Sequence, residues 1–217
     1  MLKNLLLSAA MLLPTTALAA PSGITLSPDK AITTFHGAPG RATLPSWLPP
    51  AHGKKIIDTF GTAHAYNCCS GWTITNPGSA VGILQWVAYP ITPKKSTSVT
   101  EIVEAIGFVE GGDSVTVALM ADNNGSPGAV LSEKSVKNLE VFGNCCTVAV
   151  GRLKTPVPVT AGTTYWVGAL LPKKSQSTTW DAWNYSSKDT NSTTFAYYTG
   201  TWNVSSGPFT AFAVYGN

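Results

Sequence analysis

The sequence predicts an all-β protein, a two-sheet sandwich of about ten strands. Three observations carry that prediction. The 217 residues are only 12% charged, against about 25% in average soluble proteins. The place of the charges is taken by 27 Thr and 19 Ser, with 20 Gly and 15 Pro, and the bias of helix bundles toward Ala, Glu, Lys, Leu and Arg is missing. From Ile56 onward, short apolar runs alternate with turn-forming residues, the spacing of a sandwich or barrel. At 44% hydrophobic, the chain is too apolar to stay disordered.

The elements follow in order. Residues 1–19 read as a secretory signal peptide: Lys3 is the positive start, Leu5 to Leu13 the apolar run, and Ala17-Leu18-Ala19 the cleavage site. That run is too short to span a bilayer, and no later segment reaches spanning length. Residues 20–55 form a Pro-rich arm or linker, with a short strand at Gly23 to Leu26 and with Trp47 and Leu48 pinning it to the domain. The domain proper is 56–217. Within it Ile83 to Tyr89 is an apolar run, and Ser98 to Val109 is one long strand with mixed faces. Ser114 to Ala121 alternates, with Val115, Val117, Leu119 and Ala121 on one face. Asp122 to Gly128 is a hairpin loop, because Asn-Gly and Pro-Gly supply turn dihedrals. Strands at Val130 to Val136, Cys145 to Val150 and Thr163 to Leu171 follow. In the last, Tyr165, Val167, Ala169 and Leu171 oppose Trp166, Gly168 and Leu170. Thr179 to Tyr185, Thr193 to Thr199 and Phe209 to Tyr215 close the chain.

The formal charge of +3 falls to +2 when Lys3 leaves with the signal. Basic residues occur as scattered pairs, so nucleic acid is not an expected partner. All four cysteines lie in two vicinal pairs, Cys68-Cys69 and Cys145-Cys146. Export makes disulfides their expected state. Adjacent residues on a regular strand point to opposite faces, so cross-links between the pairs need loop geometry. Two vicinal rings are the strained alternative, since adjacent Cα atoms lie only about 3.8 Å apart. A metal cluster is a third arrangement, without the usual spacing of zinc ligands. No cofactor or metal is expected.

Catalytic constellations are sparse. His36, His52 and His64 are the histidines; His64 lies near Asp58, but no G-x-S-x-G elbow accompanies it. Glu101, Glu104 and Glu110 share one predicted strand, and alternation puts Glu104 and Glu110 on one face. A glycoside hydrolase needs such a carboxylate pair, but nothing pairs these in sequence, and solvated strand charges are the preferred reading. Asp122, Asn124, Ser126 and Glu133 mimic a calcium-loop count, but Pro127 stands where the sharp turn needs Gly.

Seven Trp and seven Tyr are many for this length. Trp86, Trp166 and Tyr215 lie inside apolar strands and read as core. Trp180 to Tyr185 differs, because polar runs flank it on both sides. If Trp180 and Ala182 face the core, then Asp181, Trp183 and Tyr185 face solvent, with Tyr197, Tyr198 and Trp202 extending the platform. Flat aromatic rings beside a few polar groups suit sugar binding. The predicted ligand-binding residues are therefore Trp183, Tyr185, Asp181 and Trp202; core packing is the competing use of the same cluster.

Ile56 to Gly216 resembles the bacterial secreted jelly-roll domains of the choice-of-anchor type. The matching stretches are Gly71-Trp72-Thr73-Ile74, Val87 to Pro93, Asp122 to Gly128, Val159 to Trp166 and Ala211 to Gly216. The resemblance implies a jelly-roll-like sandwich outside the cell or at its surface, and it brings no catalytic residues. A sorting tail of that family is not visible here, which points to a secreted or periplasmic protein. The expected function is non-catalytic binding or adhesion to extracellular polysaccharide or cell-surface glycan. The alternatives are a glycan hydrolase or lyase using an acidic residue near the aromatic face, and a self-associating matrix or surface protein.

Overall fold

A computed structural model describes residues 53–61, 65–143, 148–188 and 191–217, together with the backbone of two short strands in the arm. The signal segment, His36, His52, His64, Trp47 and the pair Cys145-Cys146 lie outside the described residues, as do the side chains of Cys68 and Cys69. The disulfide expectation therefore falls outside them as well.

The fold is all-β, with no helix among the described residues. Its strands, in chain order, are β1 (Ile24–Leu26), β2 (Ile32–Phe35), β3 (Lys54–Asp58), β4 (Tyr66–Thr75), β5 (Trp86–Ile91), β6 (Thr97–Glu104), β7 (Ile106–Glu110), β8 (Ser114–Asp122), β9 (Pro127–Lys137), β10 (Ala149–Val159), β11 (Tyr165–Leu170), β12 (Trp180–Ser186), β13 (Ser192–Tyr198), β14 (Trp202–Pro208) and β15 (Phe212–Gly216). They form three sheets. One has six strands in the order β14-β13-β5-β11-β8-β9, one five in the order β1-β2-β4-β12-β7, and one four in the order β10-β6-β15-β3. Residues 24–26 and 32–35 of the arm thus add two strands to an edge of the five-stranded sheet, β2 pairing with β4.

The six-stranded sheet is one layer of a sandwich. The other two sheets face it across one core, to which Val87, Tyr89, Val117 and Val167 contribute from the first layer and Trp72, Ile106, Ile102, Phe212 and Val214 from the second. The predicted long strand from Ser98 to Val109 is two strands. The chain leaves the four-stranded sheet after Glu104 and enters the five-stranded one at Ile106. Ala105 stitches the seam: its N–H donates to the Ala211 carbonyl at 3.0 Å, and its carbonyl accepts from the Asn184 N–H at 2.8 Å.

Inside the core, aromatic side chains are tied by their polar atoms. The Trp72 indole N–H donates to Tyr89 Oη at 2.6 Å, and that hydroxyl donates to the Pro208 carbonyl. Gly207 lets Trp72 and Phe195 close over it, since a Cβ there would meet their ring carbons at 2.7 and 2.9 Å. At the expected hairpin loop, Asn124 and Gly125 take positive φ of 53° and 81°. Asp122 organises that turn by accepting from the Gly125 N–H at 3.0 Å and from the Trp166 indole N–H at 2.7 Å.

Candidate functional site

The structure corrects the expectation of an exposed face on β12. Trp183 is 0% exposed, and its indole N–H donates to the Ala211 carbonyl at 3.1 Å. It packs edge-on to Tyr89 and tilted against Phe212, with ring centroids 5.6 and 5.8 Å away. Asp181 is also 0% exposed. Both its oxygens lack a hydrogen-bond partner among the described residues, and burial holds its carboxyl well above the usual carboxylate range, with the Asp113 charge adding to the shift. Tyr185 is half-buried against Trp72, and burial pushes its phenol up. The reason is position. The face of β12 carrying Asp181 and Trp183 lies against the sandwich core beside Ile74 and Trp72 of β4, and Trp180 and Ala182 on its other face are buried too. A strand buried on both faces shows no solvent side to alternation.

The predicted carboxylate face does not form either. Glu104 is buried in the core and Glu110 lies in a different sheet, because the chain changes sheet at Ala105. Glu101 accepts from Arg152 Nε at 3.0 Å.

Trp202 keeps its place on a surface, in company that alternation within one strand does not reveal. It stands opposite Tyr198, and Tyr198 stands opposite Trp86. Opposed residues in an antiparallel pair share a face. Here they make a ladder. Trp86 stacks on Tyr198 at 4.4 Å and 10°, and Trp202 meets Tyr198 at 5.3 Å and 61°. All three are half-buried. Trp86, read from sequence as core, is thus the key aromatic that the strand pattern missed. Its neighbours Val87 and Tyr89 pack into the sandwich core while Ala88 belongs to a separate apolar cluster on the other face.

The same row continues across the sheet. The β5–β11 register pairs Val87 with Ala169, so one step further Leu170 lies opposite Trp86. Leu170 pairs with Thr116, and Thr116 with Ser135. One row therefore reads Trp202, Tyr198, Trp86, Leu170, Thr116, Ser135 across all six strands. Six strands at about 4.8 Å spacing make it about 24 Å long. The neighbouring row is Ala196, Ala88, Gly168 and Ala118. Its lack of bulk lets Met120 lie flat, since a Cβ on Gly168 would meet Met120 Cε at 2.5 Å. Together with Trp166 these residues form an apolar cluster on the face turned away from the sandwich core.

A cleft of about 660 Å³ opens along the polar half of the row. Trp86, Leu170 and Thr116 line it from the sheet, Glu133 and Ser135 from β9, and Lys173 and Lys174 from the loop after β11. That loop is fastened by Asn76, whose side-chain amide donates to Ser175 Oγ at 2.9 Å and to the Gln176 carbonyl at 2.8 Å. Asn76 and Gly78 also donate backbone N–H groups to the carbonyls of Thr179 and Ser177, each at 3.0 Å. Thr116 and Ser135 hydroxyls lie 3.2 Å apart. Glu133, Lys173 and Lys174 are exposed, and no ion pair among the described residues engages them. The Trp86 indole N–H is buried without an acceptor among the described residues.

The arrangement offers half-buried aromatic rings, two hydroxyls and charges of both signs. These are the parts of a site for a polar ligand with apolar faces. Among the described residues no group of three or more His, Cys, Asp or Glu converges as a metal site would need, and no helix is long and apolar enough to cross a membrane. No family model matches the chain, and no curated protein matches it.

Proposed function

We propose that this protein is an exported, disulfide-bonded, non-catalytic module that binds extracellular carbohydrate on the outer face of its six-stranded sheet. The observation that carries the reading is the Trp86–Tyr198–Trp202 ladder running into a hydroxyl-lined cleft. Pyranose rings present C–H faces that stack on aromatic rings, while their hydroxyls need hydrogen-bond partners at the edges. The row supplies both in sequence. Its backbone is already ordered by sheet pairing, which lowers the entropic cost of binding.

The test is a pull-down of the chain from Ala20 to Asn217 against soluble and insoluble polysaccharides. Trp86→Ala and Trp202→Ala are compared with the wild type, each checked by thermal melting. A polysaccharide that binds the wild type and loses at least about tenfold in affinity with either variant supports the reading. Undiminished binding by both variants refutes the site. Binding to no polysaccharide refutes the function.

A second reading, self-association, has its own observation. Val130, Leu131 and Val204 are 45%, 42% and 49% exposed on β9 and β14, the two end strands of this sheet. Edge strands with exposed apolar residues can pair with a second copy. A sedimentation profile that shifts with concentration, and shifts back with Val204→Lys, supports it.

A further inference from the structure

We infer that the ligand is an acidic linear polysaccharide, bound across the strands with its anionic group held at Lys173 and Lys174; this rests on the carbohydrate reading above. The row from Trp202 to Ser135 spans about 24 Å, far more than one sugar ring, and crosses the sheet from end strand to end strand. An internal stretch of a long chain fits such a track better than a single sugar does. The aromatic end provides stacking. The cleft end provides recognition.

The charge at the cleft end is asymmetric. Lys173 and Lys174 stand together on one wall, and Glu133 stands on β9. The lysines are exposed and carry no ion pair among the described residues, yet the loop bearing them is fastened through Asn76 to Ser175 and Gln176. Two ammonium groups on an anchored loop make a site for one carboxylate or sulfate. Glu133 repels an acid from its own side and accepts hydroxyl protons there. The pair of walls therefore sets which way the acidic sugar faces. Carboxylate and sulfate share the chemistry these lysines recognise, so the experiment separates them.

The mature chain is titrated with three soluble linear polysaccharides of similar length: a neutral glucan, a uronate polymer and a sulfated polymer. Wild type, Lys173→Gln/Lys174→Gln, Glu133→Gln and Trp86→Ala are compared at low and physiological salt. The expected result is that at least one acidic polymer binds roughly tenfold more tightly than the neutral one. The double lysine variant removes that preference, added salt weakens it, and Trp86→Ala weakens binding of every polymer. Preference for uronate or for sulfate identifies the anion. Equal binding of neutral and acidic polymers, or a preference unchanged in the double lysine variant, overturns the inference while Trp86-dependent binding sustains the carbohydrate reading. Salt-sensitive binding of acidic polymers that ignores Trp86 overturns both, because it is then charge attraction without a stacking site.

Discussion

Glu104 gives the sharpest energetic prediction. Its strand neighbours are Ala149 on β10 and Phe212 on β15, both core residues, and it is 0% exposed. Neither carboxyl oxygen has a hydrogen-bond partner among the described residues. Burial holds the carboxyl well above its ordinary 4.5, because an ionised carboxylate in such a place loses its water and gains nothing in exchange. The folded protein keeps the proton where the unfolded chain releases it. Stability is thus greatest below pH 4.5 and falls as pH rises toward the folded pKa, by about 1.4 kcal/mol per pH unit at most. Between pH 4.5 and 7 this accumulates to about 3 kcal/mol if the proton is retained throughout. Glu104→Gln has the same shape and no proton to lose. It should match the wild type near pH 4 and exceed it by up to about 3 kcal/mol at pH 7, about 6–12 °C in Tm for a domain of this size. Urea midpoints of both proteins from pH 4 to 8 measure the difference. A gap that is independent of pH, or one that favours the wild type more as pH rises, would show that the carboxyl ionises in the fold and would refute the reasoning.

Other perturbations separate packing from binding. Trp183→Ala should cost about 3–5 kcal/mol of stability through the cavity it leaves, and, where the variant remains folded, its affinity for polysaccharide should be unchanged; a folded Trp183→Ala that loses binding would return β12 to the site. Tyr89→Phe should cost about 1 kcal/mol by denaturant melting, because the Trp72 indole retains a 3.2 Å bond to the Pro208 carbonyl; no loss at all would mean that the hydroxyl bridge contributes nothing. Non-reducing peptide mapping should find Cys68 and Cys69 joined to Cys145 and Cys146, with reduction lowering stability by about 2–5 kcal/mol; four titratable thiols in protein purified under oxidising conditions would reject the bridges.

Strand positions were legible where local pattern and burial agree. β8 and β11 lie in the middle of the six-stranded sheet, and their alternate residues Val115, Val117, Leu119, Val167 and Ala169 enter the main core as period-two reading requires. The turn after β8 was legible because Asn124 and Gly125 tolerate the positive φ it needs. β14 was missed, because Asn203, Ser205 and Ser206 look like a loop; as an end strand it faces solvent along much of its length. β10 was placed too early, since Pro156 and Pro158 argue against a strand interior, yet the β10–β6 ladder tolerates a register shift between Arg152 and Val157.

Composition and local alternation by themselves determined that the chain folds as antiparallel strands, where many of them lie, and that aromatic residues exceed what one small core demands. Those are short-range properties, set by side-chain period and turn dihedrals within a few residues. Tertiary structure alone decided which aromatic residues are accessible. Alternation divides Trp180 to Tyr185 into two faces, but only tertiary packing makes both interior: Trp183 sits in the sandwich core, and Trp180 and Ala182 are buried on the opposite face. The candidate site is a row through Trp86, Thr116, Ser135, Leu170, Tyr198 and Trp202. Apart from Tyr198 and Trp202, which share one hairpin, its members are well separated in the chain and become neighbours only when strand order and register are set. Shifting any one strand by a single residue would turn its contribution to the other face of the sheet.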